Sequence, residues 1–283
     1  MVTVSSTQLS SGDVERSLKL LDVAERAARS VEELLIGAFA NGVATEEKSS
    51  FHDVVTHYDQ ESEHRIIEHI LHQWPDSRIC AEESGTRGSG SVEWYIDPID
   101  GTNNFASGIP FFCVSIAAKV DGRLVAGVIN DPVRGELFSA SVAGAHLNGM
   151  PLVSSGSTHD KDCALVTSFP KHHTWPHRPT AVTSDLELYG SLVQTFRTVR
   201  RLGSCALSLA YVAAGRIDAL FNVGVHPWDV AAGMLLVEQA GGMYRALGMP
   251  DGSEVEPWHQ PDFIAHVEPF DLERSCLGVL VRP

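Results

Sequence analysis

The sequence predicts a layered α/β/α fold in which two subdomains share one cleft. Three features lead to this prediction: a long amphipathic segment near the N-terminus, a series of strand patterns in the first half, and alternating strands and helices in the second half. The chain has 283 residues, of which 43% are hydrophobic, so it can form a sizeable core within one large or two medium-sized domains.

The N-terminal region combines a polar tail with two helices. Residues 1–12 are rich in Ser and Thr, and we expect them to be disordered. Apolar residues recur every three or four positions over 13–40 and 59–74, which is typical of amphipathic helices, and Pro75 ends the second one. The polar residues 41–52 between these helices are predicted to form a loop.

The rest of the first half carries the patterns of β-strands. Turn residues separate its apolar stretches, and the pair Asp121-Gly122 is typical of a hairpin. The predicted strands are 78–81, 92–97, 111–120, 123–130 and 135–141. We therefore predict an N-terminal α+β subdomain with antiparallel strands over residues 13–152.

The second half alternates strands with helices after a polar boundary near residues 154–162. The predicted strands are 163–169, 197–202, 217–222, 243–246 and 262–266, and the predicted helices are 184–196, 204–214 and 228–240. Alternation of this kind favours an α/β layer. We therefore predict a C-terminal α/β subdomain over residues 153–283.

Charge and composition exclude several classes of function. The net charge of −15 argues against a nucleic-acid or anionic-membrane surface, although a small phosphorylated substrate is possible if metals supply positive charge. No apolar run approaches the roughly 20 residues that span a bilayer. The first residues lack the pattern of a signal peptide, and the five cysteines are widely spaced without a CxxC pair. These features predict a cytoplasmic protein with reduced thiols.

The most informative segment is WYIDPIDGTNNF, residues 94–105. It places Asp97 and Asp100 on either side of a proline at the end of an apolar strand. Buried carboxylates need partners, and no lysine or arginine lies between Gly90 and Lys119. The sequence therefore predicts that metal cations are the partners of these two acids.

Three further acidic segments of the chain, with four acidic residues in all, can each be interpreted in two ways. Glu82 and Glu83 follow a short predicted strand and could form a solvated turn. Asp59 and Asp229 lie at helix starts, where acids are common as N-terminal caps. The alternative is that all of them join the acids of residues 94–105 in one site.

The combination of these motifs resembles the inositol monophosphatase family of Mg²⁺-dependent, lithium-sensitive phosphatases. That family carries an EE motif, a DPIDGT motif and a WDxAAG motif, and this chain has EES at 82–84, DPIDGT at 97–102 and WDVAAG at 228–233. The resemblance runs from about Lys48 to Gly242. It implies a layered αβαβα sandwich of the sugar-phosphatase type, with two subdomains sharing one cleft.

The resemblance also implies a set of metal ligands. Glu82, Asp97 and the carbonyl of Ile99 would hold a first Mg²⁺, and Asp97, Asp100 and Asp229 a second. A third ion could bind near Glu82, and Mn²⁺ could substitute. The N-terminal subdomain would supply most of these ligands, whereas the C-terminal subdomain would supply Asp229 and the substrate wall.

Catalytic roles follow from the same resemblance. Thr102 and Glu82 would orient the attacking water, and Asp59 would support Thr102. The amide groups of Gly101 and Thr102 would bind the phosphate. The implied reaction is direct hydrolysis of a phosphate monoester, without a covalent intermediate.

The substrate wall is implied to include Asp100, Gly203, Cys205, Asn222 and Asp229. Inositol-selective relatives commonly have a glutamate where this chain has Asn222. This position therefore does not select inositol monophosphate over other polyol or sugar phosphates. Fructose-1,6-bisphosphate, histidinol phosphate and nucleotide 3′-phosphates are alternatives, as is a non-catalytic regulatory protein on the same fold. The resemblance further implies a homodimer.

Overall fold

The computed structural model describes residues 10–43, 46–50, 53–171, 175, 178–180, 182, 184–249, 253 and 255–281. These residues form five layers, in which helices alternate with two β-sheets. This arrangement confirms the predicted αβαβα architecture. None of the described helices combines the length and the apolar character needed to cross a bilayer.

The described residues include seven α-helices. They are α1 (Ser11–Arg29), α2 (Glu32–Asn41), α3 (His57–Gln73), α4 (Thr102–Ala106), α5 (Asp185–Thr195), α6 (Cys205–Ala213) and α7 (Pro227–Gln239). Short 3₁₀ helices cover Asp160–Asp162, Pro257–His259 and Cys276–Leu280.

The prediction of one continuous helix over 13–40 is wrong. α1 ends at Arg29, where the hydroxyl of Ser30 donates to the carbonyl oxygen of Ala27 at 2.6 Å, and α2 begins at Glu32. A serine that bonds the backbone in this way competes with the helix ladder. The helix also begins earlier than expected, since Ser10 caps it, so residues 10–12 are ordered, whereas residues 1–9 lie outside the described residues.

The first sheet has eight strands in the order β10-β9-β8-β7-β6-β5-β3-β4. Their bounds are β3 (Ser77–Ala81), β4 (Gly85–Gly88), β5 (Val92–Asp100), β6 (Cys113–Val120), β7 (Arg123–Asp131), β8 (Glu136–Ser141), β9 (Gly144–Leu147) and β10 (Met150–Pro151). α1 and α3 cover one face, and α7 covers the other. Most neighbours are antiparallel as predicted, but β3 and β5 are parallel.

Two segments for which no strand was predicted form strands. In the predicted loop 41–52, residues Glu46–Ser50 form β1, which pairs with β2 (Asp53–Val55) in a two-stranded sheet. The glycine-rich segment after Glu83 forms β4. Both segments are polar and lack apolar alternation, so backbone pairing with a neighbouring strand decides their structure.

The second sheet has five strands in the order β12-β11-β13-β15-β14. Their bounds are β11 (Ala164–Thr167), β12 (Thr198–Arg200), β13 (Ala219–Asn222), β14 (Met243–Ala246) and β15 (Phe263–His266). β11 lies parallel to β12 and β13, whereas β15 runs antiparallel to β13 and β14. α6 and α7 fill the space between the two sheets, and α5 lies outside, against β12.

Small residues at the contact let α6 and α7 pack closely. A Cβ atom added at Gly233 of α7 would lie 2.5 Å from Cβ of Leu209 in α6. A Cβ atom at Gly127 of β7 would lie 3.0 Å from the carbonyl oxygen of Ala232. The small residues of the WDVAAG motif therefore set how closely α7 approaches both α6 and the first sheet.

Candidate active site

A cleft of about 520 Å³ contains nearly all of the site residues predicted from sequence. Its lining residues belong to both sheets and to the N-terminal ends of α4, α6 and α7. They include Glu82, Asp97, Ile99, Asp100, Gly101, Thr102, Gly203, Cys205, Asn222 and Asp229. Asp59 is the exception, since it contacts the site only through Thr102.

The two acids of the DPIDGT segment lie at the end of β5. Asp97 pairs with Ser115 and Asp100 with Cys113, so the ladder to β6 is interrupted by a bulge between the two acids. Pro98 falls in this bulge, where a residue without an N–H group is tolerated. The amide N–H of Ile99 donates to Oδ1 of Asp97 at 3.0 Å, which holds that carboxylate in place.

Gly101 follows the bulge and turns the chain into α4. Its φ of 101° lies in the left-handed region, which favours glycine. A Cβ atom here would also lie 3.1 Å from the carbonyl oxygen of Phe111 and 3.3 Å from that of Gly203. Glycine is therefore required at this turn for both conformational and steric reasons.

Asp100 is held by the N-terminus of α6. Its Oδ2 accepts hydrogen bonds from the hydroxyl of Ser204 at 2.5 Å and from the amide of Ala206 at 2.6 Å. Its Oδ1 accepts from the amide of Cys205 at 3.2 Å. Burial raises the pKa of Asp100 to about 6, and these three donors limit the rise.

Asp59 caps a helix and also supports a cleft residue. Its Oδ2 accepts from the amide and the hydroxyl of Thr56 at 2.8 and 2.6 Å, which forms the capping box of α3. Its Oδ1 accepts from the hydroxyl of Thr102 at 3.0 Å. Asp59 is therefore a helix cap whose second oxygen bonds a residue of the cleft.

Asp229, at the start of α7, likewise both caps a helix and faces the cleft. Its Oδ2 accepts from the amide of His226 at 2.8 Å, as a capping residue does. The side chain is half-buried and faces the cleft. Burial, followed by the negative charge of Asp100, raises the pKa of Asp229 to about 8.

Glu82 and Asp97 bring two carboxyl groups together. The amide of Glu82 donates to the carbonyl oxygen of Ile96 at 3.1 Å, which places this residue beside the end of β5. Burial raises the pKa of Asp97 well above its usual range, and Glu82 raises it further through its charge and a hydrogen bond between the two side chains. A cation bound between these two carboxyl groups would offset their repulsion.

Glu63 is a site residue that the sequence analysis missed. Its Oε2 accepts from the amide of Glu83 at 2.7 Å and its Oε1 from the amide of Ser84 at 2.9 Å, so it holds the turn that carries Glu82. Glu63 is 3% exposed, on the face of α3 that also buries Ile66. An acid on the apolar face of a predicted helix was the signal that could have revealed it.

The residues predicted to form the substrate wall make hydrogen bonds within the protein that the sequence did not indicate. Oδ1 of Asn222 accepts from the amide of Ser168 at 2.6 Å, and its Nδ2 donates to Sγ of Cys205 at 3.4 Å. Gly203 has a φ of 85°, and a Cβ atom there would lie 2.7 Å from Nδ2 of Asn104. Asn104 in turn donates to the carbonyl oxygen of Leu202 at 2.7 Å, a contact that no sequence pattern indicated.

The donor chemistry of the cleft fits a hard divalent cation. Asp97 is 2% exposed and Asp100 is 8% exposed, and mutual repulsion contributes to the raised pKa of Asp97. Carboxylate and carbonyl oxygens are the ligands that Mg²⁺ prefers. In the part of the chain that the structure describes, however, no three His, Cys, Asp or Glu side chains lie together in an arrangement that could hold a metal ion. Asp100 and Asp229 instead bond to helix N-termini.

Comparison with known proteins identifies relatives over most of the chain. The sequence profile of the inositol monophosphatase family matches residues 17–257. The Nus factor SuhB of Pasteurella multocida is 42% identical over 229 residues, which cover 79% of this chain and 84% of that protein.

Solved structures give the same result. Inositol monophosphatase from Anabaena (Nostoc) sp. PCC 7120 has a TM-score of 0.76 and 33% identity, with coverage of 94% of this chain and 96% of that one. Thermotoga maritima IMPase TM1415 has a TM-score of 0.77 and 31% identity, with coverage of 93% and 96%. An IMPase/NADP phosphatase complexed with Mg²⁺ and phosphate matches over 95% of this chain and 97% of that one, with a TM-score of 0.77; at 21% identity this likeness shows the fold alone. The chain therefore belongs to the inositol monophosphatase family.

Proposed function

We propose that the protein is a Mg²⁺-dependent phosphoric monoester hydrolase that acts on inositol monophosphate or a related polyol or sugar phosphate. One observation carries this proposal: residues from three separate motifs, including Glu82, Asp97, Thr102 and Asp229, line one cleft. If these acids served only as structural caps, nothing would require the acids of helix starts and of a strand end to line the same cleft.

Thr102 and Glu82 are suited to orienting the attacking water. When the Thr102 hydroxyl donates its hydrogen bond to Oδ1 of Asp59, its lone pairs are free to accept a hydrogen bond from water. Asp59 is fixed for this task by its bonds to Thr56. The carboxylate of Glu82 can accept a hydrogen bond from the second O–H of the same water and can take that proton as the water oxygen attacks phosphorus.

Glu82, Asp97, Asp100, Asp229 and the carbonyl of Ile99 would hold two or three Mg²⁺ ions, with Mn²⁺ as a substitute. When bound, these ions neutralise phosphate oxygens, acidify water and stabilise the leaving oxygen. Burial raises the pKa values of Asp97, Asp100 and Asp229, and the charges of neighbouring acids raise them further, so a bound cation would stabilise the ionised carboxylates. Inhibition by lithium and assembly as a homodimer stay predictions of the family resemblance.

The remaining cleft residues would bind the substrate. The amide groups of Gly101 and Thr102 lie where the chain enters α4 and would donate to phosphate oxygens. Cys205, Asn222 and Gly203 would contact the alcohol, together with Asp100 and Asp229. Fructose-1,6-bisphosphate, histidinol phosphate and nucleotide 3′-phosphates stay alternatives to inositol monophosphate.

Phosphate release from inositol 1-phosphate and from a generic sugar phosphate tests this function. We expect turnover with Mg²⁺, none with EDTA, and a loss of at least about a thousandfold in kcat for Asp97→Asn. Circular dichroism of the variant checks that its fold is kept. Hydrolysis that persists both in EDTA and in Asp97→Asn would rule out the proposed site.

A second candidate is a non-catalytic regulatory protein on the same fold. It is favoured by relatives about 40% identical that carry the name Nus factor SuhB, which is not the name of an enzyme. Under this alternative, purified protein binds a defined macromolecular partner and hydrolyses no ester in a broad panel. Turnover of any ester with a kcat/KM that depends on Asp97 would instead support the phosphatase.

A further inference from the structure

One face of α3 carries two buried carboxylates, those of Asp59 and Glu63. The two residues are four positions apart, so their side chains project from the same side of the helix. Asp59 is 1% exposed and Glu63 is 3% exposed. A buried carboxylate is costly unless hydrogen bonds replace its contacts with water. The partners of these two acids therefore indicate what each of them does.

The partners of Glu63 are backbone amides of one short turn. Residues 82–84 connect β3 to β4. Oε2 of Glu63 accepts from the amide of Glu83 at 2.7 Å, and its Oε1 accepts from the amide of Ser84 at 2.9 Å. Hydrogen bonds to a charged acceptor are roughly twice as strong as those between neutral groups. Glu63 therefore fixes the backbone directly after Glu82.

The backbone at Glu82 itself is fixed by the first sheet. The amide of Glu82 donates to the carbonyl oxygen of Ile96 at 3.1 Å, which continues the parallel pairing of β3 with β5. The point from which the Glu82 side chain departs is thus held on one side by the sheet and on the other by α3. Without Glu63, the sheet contact would remain, but the turn after Glu82 would lose its acceptors.

Asp59, the other acid on this face of α3, holds Thr102. Its Oδ1 accepts from the Thr102 hydroxyl at 3.0 Å. Burial raises the pKa of Asp59, and the charge of Glu82 contributes to that rise, which means that the Glu82 carboxylate lies near this pair. α3 therefore acts on Thr102 through Asp59 and on Glu82 through Glu63.

Resting on the phosphatase function proposed above, we propose that Glu63 is a positioning residue for the attacking water and for the metal ion that Glu82 would bind. It acts through the turn at residues 82–84. Because one rigid helix holds both Glu82 and Thr102, α3 sets the separation of the two groups that the water must contact. A displacement of about 1 Å at such a site can lower the rate about a hundredfold.

The test compares Glu63→Gln with Glu61→Gln in the hydrolysis of inositol 1-phosphate and fructose 1-phosphate, and in Mn²⁺ titrations by calorimetry. Glutamine keeps one acceptor, but its NH₂ group would face the second amide, so one bond is lost. We expect Glu63→Gln to lower kcat about tenfold or more with KM changed threefold at most, and to weaken Mn²⁺ binding about threefold or more.

Glu61→Gln is the matched control. Glu61 lies on the same helix, and its Oε1 accepts from Nε of the exposed Arg65 at 2.7 Å. We expect this variant to change neither kcat nor the Mn²⁺ affinity. Glu63→Asp serves as a second variant at the test position. It keeps the charge, but its side chain is one methylene too short to reach both amides, so the losses should match those of Glu63→Gln.

A double-mutant cycle shows whether Glu63 acts through Glu82. In the Glu82→Gln background, Glu63→Gln should lower kcat and the Mn²⁺ affinity less than about twofold, because the carboxylate that it positions is already gone. If Glu82→Gln turns over too slowly to measure, the Mn²⁺ affinities alone give the coupling. A merely structural role of Glu63 would lower the free energy of unfolding, measured in urea, and leave kcat and the Mn²⁺ affinity of the folded protein unchanged.

Two results would overturn the proposal: wild-type kcat and Mn²⁺ affinity in both Glu63 variants, or equally large losses with and without Glu82→Gln. Failure of both variants to fold would assign Glu63 a structural role and count against it as well. If the wild type hydrolyses the esters in any of these cases, only the role of Glu63 fails.

A wild type that hydrolyses no ester would refute the phosphatase function. A Mn²⁺ affinity that falls in Glu63→Gln but not in Glu61→Gln would then still uphold the role of Glu63 at the metal, and equal affinities would refute it. A wild type that binds no Mn²⁺ would refute both.

Discussion

At the scale of single residues, the acids in and beside the cleft are held by hydrogen bonds to the ends of helices or to neighbouring side chains. Asp59 caps α3 and bonds Thr102, Asp100 accepts from the first amides of α6, and Asp229 accepts from an amide at the start of α7. Each carboxylate is thereby positioned before any substrate binds, which lowers the entropy cost of assembling the site. The sequence interpretations of cap and ligand were therefore not exclusive.

Thr102 provides a sharp test at this scale. We expect Thr102→Val to lower kcat by about a hundredfold or more with little change in KM, because the water loses the acceptor that orients it. Thr102→Ser keeps the hydroxyl that donates a hydrogen bond to Asp59, so this variant should retain most of the activity. Steady-state kinetics on one phosphate ester compares the three proteins, and equal kcat values for the valine and serine variants would contradict the role.

At the scale of elements, α7 connects the two halves of the molecule. Its first turn carries Asp229 to the cleft, while its small residues let it pack against α6 and the first sheet. The division at residues 152 and 153 remains a prediction. One hydrophobic core contains Phe138 of the first sheet together with Leu209 of α6 and Phe221 of the second sheet. The halves therefore share this core.

Gly233→Ala tests the close packing of α6 and α7. Alanine normally stabilises a helix relative to glycine, by about 1 kcal/mol. Here the new methyl would lie 2.5 Å from Leu209, so we expect a net loss of about 1–3 kcal/mol in the free energy of unfolding. Urea denaturation measures it.

Gly37→Ala is the matched control for that experiment. Gly37 lies in α2, and a Cβ atom there would have no neighbour within 4 Å. We expect this variant to gain about 0.5–1 kcal/mol, because only the helix propensity changes. Similar effects of the two substitutions would mean that the α6–α7 contact is not close enough to exclude a methyl group.

At the scale of the whole molecule, buried ionisable groups connect stability to pH. His266 of β15 is 6% exposed, and burial lowers its pKa below the usual value of about 6.5. The unfolded chain therefore binds a proton at this position at a higher pH than the folded chain does. The contribution of His266 to stability is complete above about pH 6.5 and is lost as the pH falls toward its folded pKa.

His266→Gln should therefore reduce the loss of stability on acidification. We expect the difference in unfolding free energy between pH 7.5 and 5.5 to be smaller in this variant, by up to about 1.4 kcal/mol for each unit by which the pKa is lowered. Urea denaturation at both pH values measures it, with the exposed His159→Gln as the control. An unchanged difference would mean that the folded protein can protonate His266 freely.

Local patterns allowed much of the fold to be predicted. The strands and helices with apolar patterns appear within a few residues of their predicted bounds, as β7 and α5 illustrate. Among the strands that were missed, β1 and β4 are polar, and they become strands only because a partner strand lies beside them. The break between α1 and α2 was missed because the apolar period continues across Ser30.

By itself, the sequence determined the family, the layered architecture and the acids that line the cleft, because these depend on short motifs and on hydrophobic periodicity. Only the tertiary structure decided that Ser204 holds Asp100 from 104 positions away and that Glu63 holds the turn after Glu82. Such partners depend on how distant strands and helices come together, and no local spacing of residues records that arrangement.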